Sequence, residues 1–373
     1  MNKTIYTAAD LADKLGAPTP TDEQARVIEY GVKDPLLVVA GAGSGKTATM
    51  SARVVYLVAN GIVRPEQILG LTFTRKAAGE LSARIAAQLD TLAETIPDLA
   101  VSADQGVEVA TYNAFASSLV KEFGVHIGAD PASRLIGEAE SHQIVSTLVE
   151  ERAGDLDLPG ELSPATVVSA VTALSEQLSN HQVLPGRDLD YSDPQQVARL
   201  VGDAVAQVAD DVREEVTANK LRMTNDLKQI CDSLEVRASL MSLVADYAAY
   251  KRDHQMLDFS DQISLVRQLV TIPEVCQTVR RRYQAVFLDE FQDTSDGQVE
   301  FLSALFGGMR VTAVGDPNQA IYAWRGASQA ALHGFHENFG GTDSLTLSTA
   351  WRNDKAILDV ANTVAAPLHE RPE

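Results

Sequence analysis

Residues 36–47 read Leu-Leu-Val-Val-Ala-Gly-Ala-Gly-Ser-Gly-Lys-Thr, a short apolar run that ends in a glycine-rich turn closed by Lys46 and Thr47. The β-branched pair Val38 and Val39, Pro35 as punctuation and the length of the run predict a buried strand. The segment Ala48 to Leu57 (ATMSARVVYL) then continues as a helix. Between them Gly41, Gly43 and Gly45 let backbone N–H groups turn inward on an anion, and the helix start adds the positive end of its dipole. The stretch Ala40, Gly41, Ala42, Gly43, Ser44, Gly45 therefore reads as a phosphate loop, with Lys46 reaching β and γ phosphates and the Thr47 hydroxyl holding Mg²⁺. Ala40 departs from the usual opening Gly, and a tight turn without a ligand is the plain alternative. The order of strand, turn, Lys-Thr and helix favours the phosphate loop.

A chain of 373 residues exceeds one typical domain of about 100 to 200 residues, so two domains or a core with a large insertion is expected. No apolar run approaches the roughly 18 residues of a membrane span, and no secretory leader is read at the N-terminus, whose most helical stretch carries Asp10, Asp13 and Lys14. A cytoplasmic protein without a membrane partner is expected. Cys231 and Cys276 are the only cysteines and lack metal-ligand spacing, so neither a disulfide framework nor a zinc site is indicated. The formal charge of −20 argues against an indiscriminate nucleic-acid coat, since phosphate is bound by Lys and Arg. That charge is uneven: residues 125–250 hold 21 Asp or Glu against 9 Lys or Arg, net −12. Any DNA contact falls to the remainder, and the acidic segment reads as a solvated face.

Around the loop the chain keeps an α/β rhythm. Thr19 to Tyr30 (TPTDEQARVIEY) reads as a turn and a helix, with Thr21 as N-cap and Gln24 as its capping-box partner. Gln24 has a second candidate role, because an amide donates and accepts at once, as the N6 and N7 of adenine require. Gln67 to Phe73 (QILGLTF) is a second strand, followed by a helix with Leu81, Ile85 and Leu89 on one face. Thr72, Phe73 and Thr74 at its carboxyl end, where open α/β sheets bind ligands, suit a lip that stacks bases and contacts phosphate; Phe73 as core is the alternative. Val107 to Ala110 is a third strand, ending in Thr111-Tyr112-Asn113-Ala114-Phe115.

Residues 125–240 change character. Gly128, Pro131, Gly160, Pro164, Pro185, Gly186 and Pro194 mark turns between helical segments near 138–152, 165–180 and 195–238. This is a mostly helical insertion in which no catalytic constellation is read. The rhythm then resumes. Leu257-Asp258-Phe259-Ser260-Asp261 caps a helix, with Asp258 or Ser260 as N-cap. Ala285 to Glu290 (AVFLDE) is an apolar strand with two carboxylates at its end: Asp289 suits Mg²⁺, and Glu290 suits polarising an attacking water. Val311 to Gly315 leads into Asp316-Pro317-Asn318-Gln319, where Gln319 would sense a γ-phosphate just past a strand end. Tyr322 and Trp324 beside Arg325 would form a platform for unpaired bases, each stack worth about 1 to 3 kcal/mol, against Trp324 as internal packing. Leu345 to Leu347 is a last strand before Thr349-Ala350-Trp351-Arg352, in which Arg352 is either a surface charge or an arginine finger.

These segments in this order resemble the superfamily 1A DNA helicases of the UvrD, Rep and PcrA type: DEQ, AGAGSGKT, LTFTRKAAGEL, TYNAF, DFSD, LDEFQD, VGDPNQAIYAWRG and TAWRN. The resemblance covers nearly the whole chain outside 125–240, and in that family an opening Ala in the phosphate loop is ordinary. It implies an α/β fold, a RecA-like P-loop core with a parallel sheet plus a mostly helical inserted subdomain. Residues 1–124 and 241–348 would form the first motor domain, 125–240 the insertion, and 349–373 the hinge and the start of a second motor domain.

The resemblance also implies ATP-driven 3′ to 5′ translocation along single-stranded DNA with duplex unwinding, in repair or recombination, using ATP and Mg²⁺. Lys46, Thr47, Asp289, Glu290, Gln319 and Arg352 would form the nucleotide site, with Gln24 and Trp351 on the adenine; Trp351 stands where Tyr commonly stacks. Thr72, Phe73, Thr111, Tyr112, Tyr322 and Trp324 would touch single-stranded or partly duplex DNA. Asn113 stands where His is usual, and Arg75 where Asn is common. The wording of LVVAGAGSGKTATMSARVVYLVANGIV and LTFTRKAAGEL is similar to actinobacterial helicase–nuclease subunits of the AdnAB type, which implies a second such subunit as partner. Family members continue into a second RecA-like domain, so a chain ending at Glu373 reads as the N-terminal half, expected to bind ATP weakly and hydrolyse it poorly by itself. A nucleotide-dependent module that grips DNA or a partner without translocating is the alternative, and Glu290 is the residue for which it has little use.

Overall fold

The computed structural model describes residues 5–31, 33–96, 106–152, 162–181, 193–320 and 330–369. The chain divides into two compact units, Met1–Phe115 with Val270–Glu373, and Ala116–Leu269. In chain order the strands are β1 (Leu36–Ala40), β2 (Ile68–Thr72), β3 (Glu108–Thr111), β4 (Arg134–Leu135), β5 (Met256–Leu257), β6 (Ala285–Leu288), β7 (Arg310–Gly315) and β8 (Asp343–Leu347). The helices are α1 (Ala8–Lys14), α2 (Asp22–Ile28), α3 (Lys46–Ala59), α4 (Arg75–Thr95), α5 (Tyr112–Phe123), α6 (Glu138–Glu151), α7 (Pro164–His181), α8 (Pro194–Ala218), α9 (Asn225–Asp253), α10 (Phe259–Leu269), α11 (Pro273–Arg282), α12 (Asp296–Phe306), α13 (Ala330–His333), α14 (Phe335–Phe339) and α15 (Lys355–His369).

In the first unit one six-stranded parallel sheet has the order β3-β2-β6-β7-β1-β8. The inner strands ILGLT and AVFL are buried at every position, as strands with helices over both faces must be. Edge strand β8 instead exposes Asp343, Ser344 and Thr346, polar residues that discourage further pairing. Val54, Leu57, Leu81, Ile85 and Leu89 of α3 and α4 share one core with Leu36, Val38 and Ile68. Fully burying such a side chain is worth about 1.5 to 3 kcal/mol. Register then sets the site: Val39 lies opposite Gly315, Ala40 opposite Leu347, Leu71 opposite Leu288 and Thr72 opposite Thr111. All these strands run the same way, so the motifs that follow them leave the sheet along one edge. The fold is therefore the expected α/β core.

The second unit is helical around its own core of Val145, Val168, Val171, Leu240, Leu243 and Tyr247. The helix expected over 195–238 is two helices. Asn219 is the C-cap of α8, Lys220 takes φ 53° and Thr224 caps α9, a turn that no Gly or Pro marks. The unit's limits also lie outside the expected 125–240, because α9 runs unbroken to Asp253 and α10 belongs with it. Asp258, not Ser260, caps α10: Asp261 N donates to Asp258 Oδ1 and Asp258 N to Asp261 Oδ2, both at 2.9 Å. Buried Lys251 closes this cluster, its Nζ 2.5 Å from Asp258 Oδ2 and 2.7 Å from Asp261 Oδ2. Among the described residues no helix is long and apolar enough to cross a membrane.

Candidate functional site

Strand β1 ends in a loop that only glycine can form. Gly43 and Gly45 have φ of +75° and +86°; a Cβ on Gly43 would lie 2.7 Å from Arg352 Cβ, and one on Gly45 would lie 3.2 Å from Gln24 Nε2. The left-handed backbone at both positions, and at Gly43 the close approach of Arg352 as well, disfavour a side chain. Ser44 Oγ donates to Gly41 O at 2.8 Å and steadies the turn. Helix α3 starts from Gly45 with no side-chain cap, which leaves its first N–H groups for a ligand, most favourably an anion.

A groove of about 240 Å³ opens there, bounded by the loop and by Lys46, Thr47, Arg84, Glu290, Gln319 and Arg352. Lys46 Nζ lies 3.7 Å from Glu290 Oε2. Asp289 is 3% exposed at the end of β6, its Oδ1 accepting from Glu290 N at 3.1 Å. Burial, and then the neighbouring Glu290 charge, push its carboxyl up to about 7, and the same two causes raise Asp293 to about 6. Asp293 Oδ1 is buried without a hydrogen-bond partner. Glu290 itself is held at φ 49°, an uncommon backbone for a non-glycine residue and one that concentrates at functional sites. This surplus of buried negative charge, beside a Thr hydroxyl and an anion-binding loop, fits a divalent cation with phosphate ligands.

Two residues of the site escaped the sequence reading: Arg84, which lines the groove, and the buried Gln292, which does not. Arg84 lies three residues after buried Leu81 and just before buried Ile85, on the flank of the apolar stripe, and that offset was the available signal. Gln292 is 1% exposed. Its Nε2 donates to Glu290 Oε2 at 2.9 Å, its Oε1 accepts from Asp316 N at 3.0 Å, and Gln319 Nε2 donates to Asp316 Oδ2 at 2.7 Å. A continuous run of hydrogen bonds thus joins Glu290 to Gln319.

Gln24 takes the capping role. Its Oε1 accepts from Thr21 N at 3.1 Å in a reciprocal capping box, and its Nε2 lies against Gly45. Trp351 is 63% exposed, and its backbone N donates to Gly43 O at 2.8 Å. Ala40 is buried as the last residue of β1.

The expected DNA-facing set needs correction. Tyr112 is 1% exposed and its hydroxyl donates to Asp289 O at 2.9 Å, so its ring has no face for a base and its polar end serves the carboxylate strand. Thr72 is wholly buried as the last residue of β2. Phe73 and Thr111 are half-buried, and Thr111 Oγ1 accepts from Ala114 N at 3.1 Å as a local cap. Tyr322 and Trp324 lie outside the described residues.

The family described as the UvrD/REP helicase N-terminal domain matches residues 20–340. Relatives include the ATP-dependent DNA helicase PcrA of Bacillus subtilis, 28% identical over 88% of this chain and 37% of its own length. The ATP-dependent DNA helicase UvrD1 of Mycobacterium tuberculosis is 29% identical over 95% of this chain and 40% of its own length. PcrA of Staphylococcus aureus is 24% identical, over 94% and 40%. The chain thus spans 37% to 40% of the length of these relatives. With that match across most of its length, the chain belongs to the UvrD/REP helicase N-terminal domain family.

Proposed function

We propose that the groove at Lys46 binds ATP with Mg²⁺, and that the protein carrying this chain is a 3′ to 5′ DNA helicase or translocase acting on single-stranded DNA in repair or recombination. In this reading Ala116–Leu269 is an insertion in the first of two motor domains. The relatives' names as ATP-dependent DNA helicases support it. The observation that carries it is the convergence of Lys46, Thr47, Glu290, Gln319 and Arg352 on one groove beside the glycine loop.

The residues divide the work by charge. Lys46, Arg352 and the N–H groups of the loop bind phosphate oxygens. Asp289 and Thr47 would hold Mg²⁺, which would neutralise charge on the phosphates. Among the described residues no three His, Cys, Asp or Glu side chains cluster to hold a metal, so the ion would take its other ligands from phosphate and water. Glu290 orients the attacking water and accepts its proton. Gln319 answers to the γ-phosphate and is tied to Glu290 through Gln292 and Asp316. Phe73 and Thr111, at neighbouring strand ends, remain candidate DNA contacts.

The test is steady-state ATP turnover by the full-length protein with and without an oligothymidylate. Single-stranded DNA should raise turnover, and Lys46→Ala should lower it about 100-fold or more. Turnover indifferent to DNA would favour a binding module instead, and full turnover in Lys46→Ala would remove the proposed site.

A further inference from the structure

Helix α2 and strand β8 lie side by side and are tied at both ends. Just past the end of α2, Tyr30 OH donates to Asp343 Oδ2 at 2.7 Å, at the start of β8. At the other end Glu23 accepts two hydrogen bonds from Ser348, from its backbone N at 2.8 Å and from its Oγ at 2.7 Å. The backbone bond first, and the hydroxyl bond second, hold the Glu23 carboxyl below its ordinary range.

The sequence neighbours give this contact its consequence. Glu23 precedes Gln24, whose Nε2 lies at the glycine loop, and Ser348 opens the run to Trp351 and Arg352. Trp351 N in turn donates to Gly43 O at 2.8 Å. Helix α2 has only 7 residues, too short to hold its own first turn in place without outside anchors. The amide and the indole that would face a nucleotide base therefore stand on two segments joined through Glu23 and Ser348.

Resting on the reading of this groove as a nucleotide site, we infer that Glu23 and Ser348 form a latch that fixes the separation of Gln24 and Trp351 and so sets selectivity for adenine nucleotides. Both are positioning residues: neither need touch the base. The latch uses two acceptor oxygens on one side and two donors on the other, so Glu23→Ala removes it and Ser348→Ala removes one of its bonds. Ser348→Thr keeps both donors.

The experiment is fluorescence titration with mant-ADP and mant-GDP, and competition by inorganic tripolyphosphate, on wild type and the three variants, each checked for native circular dichroism. Glu23→Ala and Ser348→Ala should weaken mant-ADP about three- to tenfold, the scale of one ordinary hydrogen bond, and shrink the ADP-to-GDP preference, with tripolyphosphate within about twofold of wild type. Ser348→Thr should behave as wild type, and the double variant should be no worse than Glu23→Ala, as expected of one shared interaction. Energy transfer from Trp351 to the mant group, in a Trp324→Phe background, should fall with the same variants. An unchanged ADP-to-GDP preference in both single alanine variants, or equal losses for ADP and tripolyphosphate, would overturn the latch while leaving the nucleotide site standing. A wild-type chain that binds neither mant-ADP nor tripolyphosphate would overturn both.

Discussion

Gln292 is the side chain on which the two halves of the site meet, and its neighbours are shaped to let it pass. A Cβ on Gly315 would lie 2.8 Å from Gln292 Oε1 and 2.8 Å from Leu332 Cδ2, so β7 must end in glycine for the amide to reach Asp316 N. Gln292→Ala would leave that buried N–H without its partner and leave Glu290 Oε2 with Lys46 alone, at about 1 to 3 kcal/mol of stability. The kinetic outcome expected is a fall in kcat of about tenfold with KM for ATP within about twofold, because the phosphate contacts proposed for Lys46 would be untouched. Steady-state kinetics on the full-length protein decides this: a raised KM at unchanged kcat would assign Gln292 to binding and not to the orientation of Glu290. Gly315→Ala should reproduce the same kcat defect, since it displaces the same amide.

Arg53 acts at the scale of whole elements. It is 0% exposed in α3, yet its guanidinium donates to Val27 O, Ile28 O and Tyr30 O at 2.8, 3.1 and 2.8 Å, and to Thr312 Oγ1 at 3.1 Å. It thus satisfies the end of α2 and ties it to α3 and β7. Burial, and then the nearby Arg310 charge, lower its pKa to about 9. Arg53→Met should cost about 3 kcal/mol or more, because several buried carbonyls lose their donor, and urea unfolding would register it as a lower midpoint at unchanged slope. The six strands of the large sheet were legible in the sequence because each is built on a short apolar run ended by a turn or a polar motif, and Thr21 with Gln24 announced α2; β4 and β5, two residues each, were not read. Arg53 was not legible. Inside ATMSARVVYL a lone Arg looks like the solvent side of a helix, and nothing local shows that carbonyls from residues 27 to 30 need it. Tyr112 as a DNA contact came from the resemblance alone, and the pairing of β2 with β3 and β6 instead puts its hydroxyl on Asp289 O. The break between α8 and α9 was hidden because Lys220, not a glycine, adopts the left-handed backbone.

At the scale of the molecule, two units with separate cores share one chain, so unfolding need not be a single transition. The Lys251 cluster belongs wholly to the helical unit and supplies a marker for it. Lys251→Met would leave Asp258 and Asp261 facing each other in a buried setting, a loss of about 3 to 5 kcal/mol. Calorimetry should show one transition lowered and the other in place, while nucleotide, bound as proposed in the Lys46 groove of the sheet unit, should raise the other. The cluster also sets a pH response. Burial raises the Asp261 carboxyl to about 6 against the pull of Lys251, so its contribution to stability is complete below the unfolded value near 4 and is lost as pH rises through about 6. Asp258 is held low, burial being outweighed by the charge and hydrogen bond of Lys251, and its contribution persists across that window and fails only in stronger acid. The helical transition should therefore rise as pH falls from about 7 to 5, and Asp261→Asn should abolish that rise. If the variant kept the same pH slope, the slope would belong to other carboxylates of this acidic unit, and the burial of Asp261 would not be what sets it.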